Sequence, residues 1–224
     1  MIVNTMTLQE IYMELFKDLP SLLLRISNCK KEFRRKVLKA SRFPCSASYE
    51  LKTGRRKNLF ILTLVAQKRG DAKLPFFNIY GIYDRPEGTY AAGLIIDDAT
   101  ILIYPPHFFK RYRERIVKDD KLSNKQLIHL YFTKSWMLYK VFDDGEQEEL
   151  CEEFKFTMHE ETSFVGVVEQ GYCFGSTFGS IVVVKTIISE ENIFDHKREL
   201  LHELREKYNQ AKKDQGLENL ISLM

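Results

Sequence analysis

The sequence predicts an α+β protein, with an N-terminal helical segment followed by an antiparallel sheet that has helices packed on one side. Three observations carry this. Apolar residues recur at helical spacing up to residue 42. Between 46 and 104 the period shortens to that of strands, and turn-forming residues interrupt it repeatedly. Further on, Ile181-Val182-Val183-Val184 is an unbroken β-branched run, the pattern of a strand buried on both faces. The chain divides into a helical arm, 1–42, and a mixed α+β domain, 43–224.

In order, Thr7 is an N-cap and Glu10 completes a capping box, ahead of Leu8, Ile11, Tyr12, Leu15 and Leu19 at helical spacing. A second helix covers about 20–28 and a basic third about 30–40, with Phe33, Val37 and Leu38 as its apolar positions. Pro44 ends this region. Strands follow at 46–51, 58–66, 76–83, 89–95 and 99–104, with turns at 52–57, 84–88 and 97–98. The next helix spans 106–117. Ser123 with Gln126 starts another, to about 132. Strands at 137–141, 154–158 and 164–169 precede the glycine-rich stretch 171–180, read as a tight hairpin, and the run at 180–188. Ser189 caps a charged final helix, about 190–213.

The 224 residues are 44% hydrophobic and 29% charged, an ordinary globular balance, and a net charge of +3 does not by itself imply nucleic acid. Its distribution says more. Arg25, Lys30, Lys31, Arg34, Arg35, Lys36, Lys39 and Arg42 face a single Glu32 in 25–42, whereas 142–162 is strongly acidic. The cysteines Cys29, Cys45, Cys151 and Cys173 are widely spaced with no CxxC pair, so no zinc knuckle or disulfide scaffold is expected, and a reducing cytoplasm is the simplest home. The first residues lack a signal-peptide pattern, and no apolar stretch approaches the roughly 20 residues of a membrane span.

The stretch Pro105-Pro106-His107-Phe108-Phe109-Lys110-Arg111-Tyr112-Arg113-Glu114-Arg115-Ile116 concentrates the chemistry. At about 100° per residue, Phe109, Tyr112 and Ile116 share one side of the helix, and His107, Arg111, Glu114 and Lys118 the other. His107 can move a proton, while Arg111 and Arg115 can hold a phosphate and stabilise charge developing on it. The same spacing also suits a plain surface helix with an Arg111–Glu114 pair. Lys110, Arg113, Arg34 and Arg35 are further phosphate-binding candidates, the last two on the basic helix. Thr186 can present a hydroxyl at the sheet edge. His129, inside an apolar helix, reads as a satisfied core or interface histidine. The histidines and cysteines show no metal-ligand spacing, and no cofactor is expected.

The helix His107-Phe108-Phe109-Lys110-Arg111-Tyr112-Arg113-Glu114-Arg115, with Val183-Val184-Lys185-Thr186-Ile187-Ile188-Ser189 downstream, resembles the barnase–colicin–RelE-like superfamily of metal-independent ribonucleases, many of them toxins. The resemblance covers about 105–189. It implies that His107, Arg111 and Thr186 line an RNA cleft. The expected function is therefore RNase-like cleavage of RNA phosphodiesters. The competing expectation is a non-enzymatic protein-binding or assembly module, dimeric or with another partner, using the final helix with Ile193, Leu200, Leu201, Leu204 and Tyr208.

Overall fold

The computed structural model describes residues 1–142, 162–193 and 198–216. Helix α1 (Leu8–Phe16) begins at the expected capping box. The Thr7 hydroxyl accepts from the Glu10 N–H at 3.2 Å, and the Glu10 carboxylate accepts from the Thr7 N–H at 2.7 Å. The two helices expected at 20–28 and 30–40 are one, α2 (Leu19–Lys39). Ser27-Asn28-Cys29 holds neither Pro nor Gly to break it, and Leu22, Ile26, Phe33 and Val37 form one buried stripe along its length.

Five strands follow: β1 (Cys45–Lys52), β2 (Leu59–Ala66), β3 (Phe76–Arg85), β4 (Gly88–Ile95) and β5 (Thr100–Tyr104). The chain continues through α3 (Pro106–Tyr112) and α4 (Asn124–Lys134). It then enters β6 (Tyr139–Phe142), β7 (Thr162–Val168), β8 (Gly171–Phe178), β9 (Ile181–Ile188) and the helix α5 (Arg198–Asp214). The expected strand at 154–158 and the acidic stretch 143–161 lie outside the described residues.

The strands form one sheet in the order β1-β2-β3-β4-β5-β9-β8-β7-β6. Two antiparallel meanders, β1 to β5 and β6 to β9, meet where their last strands run parallel, with Ile101, Leu102 and Ile103 opposite Ile181, Val182 and Val183. The sheet is thus mostly antiparallel, and the protein is α+β.

Helices cover both faces of the sheet rather than one. Side chains alternate along a strand. Phe60, Leu62, Ile101 and Ile103 pack with Ile11, Leu15, Leu22, Ile26, Phe33 and Val37 of α1 and α2. Their neighbours Ile61, Leu102 and Tyr104 point the other way, into a cluster with Phe108, Tyr112, Ile128 and Tyr131 of α3 and α4. Both sides of the central strands are apolar, so each needs its own cover. Helix α5 buries Leu201, Leu204 and Tyr208 against Val165, Val167, Tyr172 and Phe174 of β7 and β8. The stripe expected to meet a core or a partner therefore meets the chain's own sheet.

A buried polar knot ties the helices to the β1–β2 loop. The Asp18 carboxylate accepts from the Thr53 hydroxyl at 2.9 Å and from the Asn58 amide at 2.8 Å. All three residues are buried, so each supplies the others' hydrogen bonds in place of water. Among the described residues no helix is long and apolar enough to cross a membrane, and Cys29, Cys45 and Cys173 are free thiols.

Candidate active site on the third helix

Helix α3 starts at a proline pair, where a missing N–H costs nothing. It is held by an aromatic cluster: Phe108 lies edge-on to Tyr104 at 5.0 Å and to Tyr131 at 5.1 Å, and Tyr112 edge-on to Tyr131 at 5.3 Å. Phe109 and Tyr112 point inward as expected. Phe108 joins them, and Ile116 is only half-buried. The Tyr112 hydroxyl donates to the Gln170 side chain at 2.8 Å, pinning the helix to the β7–β8 turn. Nothing in sequence spacing linked Gln170 to this helix.

The expected helix to 117 changes character after Tyr112. Residues Arg113–Val117 form a π-helical turn, closed by the Lys118 N–H donating to the Arg113 carbonyl at 2.8 Å, with Lys118 left-handed. Such wide turns occur often at functional sites. This one brings Arg115 onto β9, where its Nη1 donates to the Ile187 carbonyl at 2.9 Å and lies 3.5 Å from the Thr186 hydroxyl. Strand β9 passes the last residue paired with β5 at Val183, and Arg115 occupies part of the flank that β5 leaves open.

The outward side of α3 presents His107, Lys110 and Arg111. His107 precedes Arg111 by one turn, roughly 6 Å between Cβ atoms. Partial desolvation, then the cations Arg111, Lys110 and Arg115, hold the imidazole below its ordinary pKa of 6.5, with Glu114 opposing weakly. It is therefore mostly neutral at pH 7, with a ring nitrogen able to accept a proton. Arg111 makes the expected pair with Glu114 at 2.9 Å, but both side chains are about two-fifths exposed, so solvent screens the pair and a stronger anion can compete for the guanidinium.

Of the residues singled out from sequence, His107, Lys110, Arg111 and Arg115 lie close enough to feel one another's charge, and Thr186 touches Arg115. The others do not. Arg113 is spent locally, donating to the Leu122 carbonyl at 2.8 Å and to the Asn124 side chain at 3.1 Å. Arg34 and Arg35 are exposed on α2, across the sheet from α3. Thr186 lies beyond Val183, where β9 loses its pairing with β5, but its side chain is only 8% exposed and sits against Arg115. His129 is not a core histidine. It is exposed on α4, with Nδ1 3.0 Å from the Tyr80 hydroxyl. Among the described residues no group of three or more His, Cys, Asp or Glu is placed to hold a metal ion.

Set against protein-family models, curated proteins and solved structures, the chain matches none.

Proposed function

We propose that the outward face of α3 is the active site of an RNase-like enzyme that cleaves RNA phosphodiesters without a metal ion. The observation that carries this reading is an exposed imidazole one helical turn from Arg111, with Lys110 on the same outward side, on a helix anchored by its aromatic face. Neutral His107 takes the proton of a ribose 2′-hydroxyl as that oxygen attacks the adjacent phosphorus. The 5′-oxygen departs with the proton that His107 then returns, leaving a 2′,3′-cyclic phosphate. Arg111 and Lys110 neutralise charge gathering on the phosphoryl oxygens. A guanidinium has five N–H donors, and in Arg115 those of Nη1 are turned toward β9 while Nη2 and Nε remain for phosphate. Thr186, buried against Arg115, acts on the substrate through that guanidinium.

The test is RNA cleavage by purified protein in EDTA, beside His107→Ala. The expected result is cleavage that persists in EDTA and falls about 10²–10⁴-fold in the variant, with the melting temperature unchanged because His107 is exposed. Equal cleavage by the two proteins refutes the assignment. Absence of cleavage by the folded wild type instead favours the non-enzymatic binding module.

A further inference from the structure

Away from α3, a cleft of about 410 Å³ opens between the edge strand β1, the sheet surface of β2 and β3, and helix α4. Its floor follows from the strand register. Glu50 lies opposite Ile61, and Ile61 opposite Tyr80, so these three form one row across the sheet. Leu59 and Ile82 face each other in the next row of this surface. Two strand spacings separate Glu50 from Tyr80, roughly 10 Å. The floor between them is apolar, and the two rims differ in charge.

On the β1 side the rim is Ser48, Tyr49 and Glu50, of which Glu50 alone is charged. On the α4 side it is Lys125 and His129, one helical turn apart on the same wall. Glu50 and Lys125 have no hydrogen-bond or ion-pair partner among the described residues. His129 is oriented. The Tyr80 ring stacks on Phe132 at 4.0 Å, which fixes its hydroxyl 3.0 Å from His129 Nδ1. Burial pushes the Tyr80 pKa far up, so that hydroxyl keeps its proton. Its sole partner among the described residues is Nδ1, and with the hydroxyl donating and Nδ1 accepting, the ring N–H of His129 is at Nε2. Lys52, the next residue of β1 on this face, does not line the cleft.

We propose that this cleft binds a small zwitterion whose ammonium and carboxylate end an apolar chain: the ammonium at Glu50, the chain over Ile61, Leu59 and Ile82, the carboxylate at Lys125 and His129. Oppositely charged rims on the two sides of an apolar floor, Glu50 on β1 and Lys125 with His129 on α4, select for both ends of such a ligand at once. A molecule with one charge leaves the opposite rim without a partner. Apolar contact supplies affinity and the charged ends supply orientation.

The experiment is titration calorimetry of the full chain with 8-aminooctanoate, octanoate and octylamine, which share a chain length and differ in charge. The wild type is expected to bind 8-aminooctanoate at least about tenfold more tightly than either single-ended compound. Glu50→Gln should reduce 8-aminooctanoate to the level of octanoate, and Lys125→Met with His129→Ala should reduce it to that of octylamine. Glu50→Gln and Lys125→Met are at exposed positions and should leave the melting temperature unchanged, whereas His129→Ala removes the partner of the Tyr80 hydroxyl and should lower it without unfolding the chain. The inference is overturned if no compound binds in the millimolar range, if octanoate or octylamine matches the zwitterion, or if the variants bind it as the wild type does. His107 is not part of the cleft, so failure here leaves the cleavage assay unaffected.

Discussion

His107 gains its character first from partial burial and then from neighbours that its own chain segment supplies. Arg111, Lys110 and Arg115 all lower its pKa, and the spacing that puts them there is visible in the sequence. Replacing Arg111 by Gln removes a positive charge that disfavours the imidazolium, so the His107 pKa should rise toward 6.5. The check is an NMR titration of the His107 ring protons in wild type and Arg111→Gln. A pKa that stays put or falls would show that Arg111 does not lower it. The variant also frees Glu114, whose carboxylate favours the imidazolium, so both consequences act in the same direction. In an activity profile the acid limb, governed by a base that must be neutral, should move to higher pH in step. What local spacing could not supply was the far end of each contact. The bonds from Arg115 to β9 and from Arg113 to the Leu122 carbonyl span 72 and 9 residues. His129 escaped for the same reason. Its partner Tyr80 is 49 residues away, and an apolar run in sequence does not reveal which of its members faces solvent.

At the scale of elements, the strands of 46–104 were legible almost to the residue. Their period-two patterns and polar turns are local signals, and β1 to β5 begin and end within about two residues of expectation. Strand β8 was not. Its glycines read as a hairpin, yet Gly171–Phe178 is itself a strand. The reason lies at Gly175, where the ladder slips. Phe174 pairs with Thr186 and Gly175 with Val184, leaving Lys185 as the extra residue of a bulge. The slip reverses the alternation, so Ile187 rather than Thr186 continues the buried row of Val182 and Val184. A Cβ at position 175 would lie 2.0 Å from the Val183 carbonyl oxygen and 2.8 Å from the Phe164 ring. Backbone at that distance cannot yield without separating the strands. Gly175→Ala should therefore cost about 3 kcal/mol, at the upper end for overpacking, as measured by urea unfolding. A loss below about 0.5 kcal/mol, the range of an ordinary surface change, would mean that the bulge relaxes freely. Because the same bulge sets where Thr186 meets Arg115, the variant also tests whether this register matters to the α3 face.

At the scale of the whole molecule, residues 1–42 read as an arm because their boundary at Pro44 is sharp and their composition basic. Amphipathic spacing shows that a helix has an apolar side, but not what that side covers. Here Ile11, Leu15, Leu22, Ile26, Phe33 and Val37 are each at most 4% exposed, packed on Phe60, Leu62, Leu64 and Ile103 of the sheet. Burying six such side chains contributes about 9–18 kcal/mol, as much as the entire net stability of a typical domain, about 5–15 kcal/mol. The sheet loses the complementary surface as well, and Thr53 and Asn58 lose Asp18, the acceptor for their buried side-chain donors. A chain comprising 43–224 alone should therefore lack a cooperative thermal transition and bind a dye specific for exposed apolar surface. The full chain should melt in one step without the dye. Adding a separately made 1–42 peptide should restore part of the transition, because the surface it covers is a continuous apolar face rather than a set of point contacts. A 43–224 fragment that melts cooperatively and leaves the dye dark would show instead that the second core, between the sheet and α3 with α4, suffices to hold the fold. The first two helices would then be an accessory layer.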